Sequence, residues 1–179
     1  MESMDQAVLG GGCFWCLEAI FQELQGVLCV IPGYTGGQKA HPTYEQVCSG
    51  STGHAEVVQI DFDPKRISYQ AIVEIFFATH NPTTLNQQGA DIGTQYRSVI
   101  FYRSEEQKSV ATKVMATLDE FWDDPIVTDL QPLEQFYAAE TYHHNYYATN
   151  PNQSYCQLVV EPKVRKFRQQ YMNKLRNRQ

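Results

Sequence analysis

The sequence predicts an α+β fold: a single domain with a mixed β-sheet covered by helices and a long irregular C-terminal tail. Strand-like and helix-like stretches interleave along the chain, the connections between them are uneven, and no repeat or low-complexity tract interrupts the 179 residues. That length suits one domain, taken as 1–179, large enough to bury a core.

The elements read in order as follows. Ala7 to Leu9 is a short strand running into Gly10-Gly11-Gly12. A helical pattern starts at Cys13, with Leu17, Ile20, Phe21 and Leu24 on one face, and Gly26 is expected to end it. Val27 to Ile31 is apolar and β-branched enough for a buried strand, followed by a Gly-rich loop from Pro32 to Pro42 and a helical turn from Thr43 to Cys48. His54 to Phe62 alternates as a strand, which places Glu56 on one face with Val58, Ile60 and Phe62. A carboxylate on an apolar face is costly and needs a reason.

Pro64 breaks that strand, and Ser68 can cap a helix carrying Ile72, Ile75 and Phe76. Asn81 to Gly93 reads as a polar loop and Ser98 to Tyr102 as a strand. Ser104 with Gln107 forms a capping-box pattern before a helix bearing Val110, Val114 and Leu118. Ile126 to Leu130 looks like a last strand, Ala138 to Tyr147 like a helix, and Lys163 to Leu175 like a terminal helix.

Composition excludes several classes. Hydrophobic residues make up 42% and charged residues 19%, which is ordinary for a globular chain. The net charge of −6 argues against nucleic acid, since phosphate binding needs a basic face. The basic stretch Lys163 to Arg178 reads most simply as the solvated face of the terminal helix. No apolar run is long enough to span a membrane, and Met1 to Gln6 lacks the pattern of a signal peptide. The five cysteines are odd in number and unevenly spaced, which favours reduced thiols in the cytoplasm over a secreted disulfide scaffold.

Gly11-Gly12-Cys13-Phe14-Trp15-Cys16 carries the most chemistry. Glycines let backbone N–H groups crowd the next side chain, and a helix start adds partial positive charge. Both favour a thiolate, so Cys13 is expected to have a lowered pKa and to act as a nucleophile. The plainer reading is a small apolar residue closing a turn. Cys13 and Cys16 also form a Cys-x-x-Cys pair, a redox signal of moderate strength. Zinc fits poorly: it needs four ligands, no second matching pair follows, and His41 and His54 have no ligand spacing with Cys29 or Cys48.

Gly-Cys-Phe-Trp-Cys, followed by Gly33-Tyr34-Thr35-Gly36-Gly37, Pro42-Thr43-Tyr44, Gly53-His54-Ala55-Glu56 and Gly93-Thr94-Gln95-Tyr96-Arg97-Ser98, resembles the A-type peptide methionine sulfoxide reductases. The likeness runs over a core of about 7–162 and leaves 163–179 as a C-terminal helix. It implies a ferredoxin-like two-layer α/β sandwich. It also implies reduction of methionine S-sulfoxide, in proteins and free, by an enzyme of protein repair under oxidative stress.

By that resemblance Cys13 attacks the sulfoxide sulfur and becomes a sulfenic acid, with Glu56 as the acid. Burial would raise the pKa of Glu56 and keep it protonated; the alternative is an ion pair with Arg97 or Lys65. Tyr44 and Tyr96 match phenols that donate to the sulfoxide oxygen, and Asp91 matches a carboxylate on the polar side of the site. Phe14 and Trp15 match the apolar wall for the S-methyl group, although core packing would explain them equally.

The sulfenic acid needs a second thiol. The Tyr-Cys segment at Tyr155-Cys156 makes Cys156 the leading candidate, with Cys16 as the rival; many relatives lack a Cys at the latter position. Cys29 and Cys48 are expected to be inert. Thioredoxin is the expected electron donor, with no bound cofactor or metal, no nucleic-acid or membrane partner, and a monomeric enzyme. The chain departs from the pattern at Asn81, where Asp is frequent, and at Gln87, where Arg is common. Two other readings compete: a thioredoxin-like dithiol oxidoreductase using Cys13 and Cys16, and a binding module for methionine-bearing peptides with incidental thiols.

Overall fold

A computed structural model describes residues 3–177. The ends of the expected span, 1–2 and 178–179, lie outside the described residues and take with them the last residues of the expected terminal helix.

In chain order the elements are β1 (Asp5–Gly10), α1 (Phe14–Phe21), β2 (Val27–Thr35), α2 (Tyr44–Cys48), β3 (Ala55–Phe62), α3 (Tyr69–Thr79), β4 (Gln87–Gln88), β5 (Asp91–Ile92), β6 (Val99–Tyr102), α4 (Glu105–Leu118), β7 (Asp129–Pro132), β8 (Tyr137–Ala138), α5 (Tyr146–Thr149) and α6 (Glu161–Gln170). A six-stranded sheet has the order β7-β6-β1-β3-β2-β8. Its neighbours are antiparallel except β6 and β7, which run parallel, so the sheet is mixed as expected.

One face of the sheet carries Ala7, Leu9, Val58, Ile60 and Phe62 under the helices, joined by Leu17, Ile20 and Phe21 of α1, Ile72 and Phe76 of α3, and Val164 and Phe167 of α6. Full burial of each large apolar side chain contributes about 1.5–3 kcal/mol, so this helix-covered face holds the layers together. The other face, Val8, Ala55, Val57, Val99 and Phe101, is packed by Leu133 and Phe136. The alternation of β3 therefore sends Glu56 toward the helices, and it is 1% exposed.

Several boundaries differ from expectation for identifiable reasons. α1 stops at Phe21, and Gly26 instead makes the turn into β2 at φ +88°. β2 continues through Pro32 to Thr35. The Pro32 carbonyl points toward Ala139, so the proline's missing N–H falls on the side where only the two-residue β8 pairs. The expected loop from Asn81 to Gly93 holds the small hairpin β4–β5. Ser104 caps α4, but Gln107 does not complete the box: its Oε1 accepts from Arg103 N–H and its Nε2 donates to the Gln6 carbonyl.

The predicted strand at Ile126 to Leu130 is displaced to Asp129–Pro132. The predicted helix from Ala138 to Tyr147 is broken: Thr141–His143 is a 3-10 turn, and Asn145 at φ 54° is left-handed before the short α5. The C-terminal part is not one long irregular tail. A π-helical turn, Cys156–Val160, leads directly into α6, and Val160, Val164 and Phe167 are buried against the core. The terminal helix thus ends at Gln170, while Leu175 bridges to Leu24. Its basic face is partly engaged: Arg168 pairs with Glu23, and Arg165 with Glu161.

Candidate active site

Cys13 is the N-cap of α1, extended at φ −65° and ψ 130°, at the end of the loop that leaves β1. Two contacts fix that loop. Gly12 donates its N–H to the Tyr96 carbonyl at 3.2 Å. It also lies at φ +87° with the Gln88 side chain 2.7 Å from where a Cβ would stand, so only glycine fits. Gln88 is itself held at both ends of its amide, accepting from Asn81 N–H at 2.9 Å and donating to the Asn81 carbonyl at 3.0 Å.

Glu56 reaches the same place from β3. Its Oε1 accepts from the Phe14 N–H at 3.5 Å, and its Oε2 is buried without a hydrogen-bond partner. Burial pushes its pKa up to about 8, helped by the charge of Asp91 and opposed by the Phe14 amide. The ion pair with Arg97 is not made: that guanidinium donates to the Thr94 and Gly53 carbonyls. Glu56 is therefore a neutral acid at pH 7, with a hydrogen to give.

The expected low pKa of Cys13 is not found. Burial raises it well above the ordinary thiol value, and negative charge on Glu56 or Cys16 would raise it further; only the Trp15 amide acts the other way. The sequence reading weighed the helix start but not the enclosure, which leaves Cys13 only 8% exposed. The protonated state of Glu56 spares Cys13 the adjacent negative charge.

The other predicted residues gather around this pair. Tyr44 and Tyr96 both lie within the field of Glu56, and burial raises the pKa of each phenol, which keeps them O–H donors. Tyr96 is also near Asp91 and Cys13. Asp91 accepts the Tyr155 hydroxyl at 2.5 Å, and Cys156 follows directly, wholly buried at the start of the π turn. Phe14 is fully buried among Tyr34, Tyr44 and His143, while Trp15 is half-buried and stacked on Tyr146 with centroids 3.8 Å apart. Trp15 is the member of the pair that faces outward, with Phe14 packed behind.

Sequence reasoning missed four contributors. His143, fully buried, accepts the Trp15 indole N–H on Nδ1 at 3.0 Å. Glu140 accepts from the Tyr34 hydroxyl and from the Tyr44 N–H, both at 3.0 Å, which fixes the start of α2. Tyr146 and Tyr155 flank Trp15. All but Tyr155 belong to the aromatic stretch read as a helix; the density of Tyr and His there was the available signal. Of the two thiols set aside as inert, Cys29 is exposed at a bulge of β2, and Cys48 lies beside the Tyr44 hydroxyl.

A buried cysteine at a helix start, next to a protonated carboxyl and two phenols and walled by aromatic rings, defines a cysteine-dependent enzyme of redox type. Among the described residues no three His, Cys, Asp or Glu side chains are grouped to hold a metal. The family described as peptide methionine sulfoxide reductase matches residues 5–176. A relative from a Nitratiruptor species, peptide methionine sulfoxide reductase MsrA, is 58% identical over 91% of this chain and 94% of its own. The MsrA of Sulfolobus acidocaldarius is 53% identical over 96% of this chain and 97% of its own. Among solved structures, reduced Mxr1 from Saccharomyces cerevisiae superposes with a TM-score of 0.81 at 34% identity, covering 86% of this chain and 89% of that one. Mxr1 in complex with Trx2 shares the fold, with a TM-score of 0.58 at 23% identity over 80% of this chain and 84% of that one.

The chain belongs to the peptide methionine sulfoxide reductase family, A type. It is an oxidoreductase that returns methionine S-sulfoxide to methionine. The dithiol-oxidoreductase and binding-module readings give way to that assignment.

Proposed function

We propose that Cys13 performs the attack on the sulfoxide sulfur and that Glu56 is the proton donor. As the sulfur–sulfur contact forms, negative charge grows on the sulfoxide oxygen, and the Glu56 hydrogen passes to it. The hydrogen of the Cys13 thiol replaces the one Glu56 gives. Methionine leaves as a thioether, and the oxygen stays on Cys13 as a sulfenic acid, so Cys13 is oxidised and the substrate sulfur reduced. Tyr44 and Tyr96 donate to the oxygen while its charge develops. Trp15, backed by Phe14, receives the S-methyl group. Asp91 orders the polar side through Tyr155.

The observation that carries this reading is Glu56: a buried carboxyl, protonated at neutral pH, one oxygen unbonded, beside the thiol that leads α1. Glu18 is also buried with a raised pKa and an unbonded oxygen, so it is the position of Glu56, with its Oε1 on the Phe14 amide next to Cys13, that singles it out. The sulfenic acid is then exchanged for a disulfide involving Cys156, which thioredoxin reduces. The complex of yeast Mxr1 with Trx2 supports that choice of reductant.

The test is product formation by freshly reduced protein. With one equivalent of a peptide bearing methionine S-sulfoxide, wild type is expected to release stoichiometric methionine peptide, and Cys13→Ser none. Turnover by the serine variant would remove Cys13 from the reaction.

A further inference from the structure

We propose that Cys16 is a working thiol of the cycle, placed so that oxidation passes from Cys13 to Cys16 and then from Cys16 to Cys156. The inference rests on the reaction proposed at Cys13 and specifies how its product is resolved.

Geometry within α1 supports the first transfer. Cys13 is the N-cap and Cys16 the third residue of the helix, with Cys16 N–H donating to the Cys13 carbonyl at 3.1 Å. Residues three apart on a helix have Cβ atoms about 5–6 Å apart, and a disulfide needs about 3.5–4.5 Å. Cys13 is the non-helical member, so a small backbone rotation at the cap closes the difference without unwinding the helix.

The surroundings of Cys16 support the second transfer. Cys16 lies within the electrostatic reach of both Cys13 and Cys156. All three belong to one buried cluster, at 8%, 2% and 0% exposure for Cys13, Cys16 and Cys156. Lys163, by its charge, favours the Cys16 thiolate against the burial that opposes it. Cys156 is tethered where it stands. Its N–H is bonded to Gln153 Oε1 at 3.0 Å, and the preceding Tyr155 is held by Asp91 at 2.5 Å and lies edge-on to Trp15 at 5.7 Å. A transfer through Cys16 asks for no direct contact between Cys156 and Cys13.

The steps balance. Cys16 sulfur attacks Cys13 sulfur, the S–O bond breaks, and the hydroxyl leaves as water with the Cys16 proton. Cys156 sulfur then attacks Cys16 sulfur, the Cys13–Cys16 bond breaks, and Cys13 recovers its hydrogen from the Cys156 thiol. The Cys16–Cys156 disulfide that remains is reduced by the external dithiol.

The test is time-resolved mapping of disulfides after mixing reduced protein with one equivalent of a methionine S-sulfoxide peptide, without thioredoxin, followed by acid quench. In wild type a Cys13–Cys16 linkage is expected first, replaced by Cys16–Cys156. Cys156→Ser should stop at Cys13–Cys16. Cys16→Ser should hold a sulfenic acid on Cys13 that dimedone captures, with thioredoxin-dependent turnover reduced by about tenfold or more. A Cys13–Cys156 linkage appearing first in wild type, or forming in Cys16→Ser as fast as disulfide forms in wild type, would overturn the relay while methionine release left the reaction itself intact. No methionine release from wild type would overturn the reaction, and the relay with it. The wild-type time course stands whether or not the variants fold.

Discussion

Tyr155 donates its hydroxyl to Asp91 at 2.5 Å, tying the segment that ends in Cys156 to the β4–β5 hairpin beside Cys13. The bond joins residues far apart in sequence and closes one side of the site. A hydrogen bond to a charged acceptor contributes about 1.5–3 kcal/mol. Tyr155→Phe is therefore expected to lower unfolding free energy by roughly 1–2 kcal/mol after discounting for partial exposure, read by urea denaturation. It should also slow disulfide formation more than methionine release. Equal slowing of both would mean that Tyr155 acts on the sulfoxide step instead.

The Trp15–His143 bond makes a second prediction. Nδ1 of His143 accepts the indole N–H, so the imidazole proton resides on Nε2, which has no partner. Trp15→Phe preserves a ring against Tyr146 but leaves both nitrogens of a buried imidazole unbonded, at a cost of about 1–3 kcal/mol. The substrate wall loosens with it, and KM for a sulfoxide peptide is expected to rise severalfold with kcat less affected. An unchanged KM would show that the methyl group does not rest on Trp15.

Gly12→Ala should damage both fold and activity. The backbone there is left-handed, and the new methyl would meet Gln88 at 2.7 Å. A destabilisation of about 1–3 kcal/mol is expected, together with a fall in methionine release because Cys13 is the next residue. Thermal unfolding and a single-turnover assay measure the two effects. A variant as stable and active as wild type would show that the loop has freedom to move.

Much of this was legible in the chain because period and chemistry agreed. The alternation of β3 put Glu56 among Val58, Ile60 and Phe62, and the fold buries it on that face. Ser68 marked the start of α3 through a bond to the Ala71 amide at 3.0 Å. What stayed hidden depended on tertiary packing. The Ala138 to Tyr147 stretch has no strong period; its course is set by Glu140 reaching to Tyr34 and Tyr44 and by His143 meeting Trp15, contacts across about a hundred positions. The raised pKa of Cys13 was hidden for the same reason, since enclosure comes from elements distant in sequence. Pro32 suggested a loop, and only the nearly unpaired side of β2 lets the strand continue through it.

The most direct measurement is the pH dependence of methionine release in a single turnover, comparing wild type with Glu56→Gln. Glu56 holds its proton up to about pH 8, so the acid form is present below that value and lost above it. The same shift makes the folded protein bind this proton more tightly than the unfolded chain. Its contribution to stability is then fully present below the ordinary carboxyl pKa and is lost as pH rises to about 8, a dependence the glutamine variant lacks. For the chemical step, wild type should show a falling limb centred near pH 8, and Glu56→Gln should be slower by severalfold or more without that limb. A variant as fast as wild type, or one that keeps the same falling limb, would contradict the assignment of Glu56 as the proton donor to the sulfoxide oxygen.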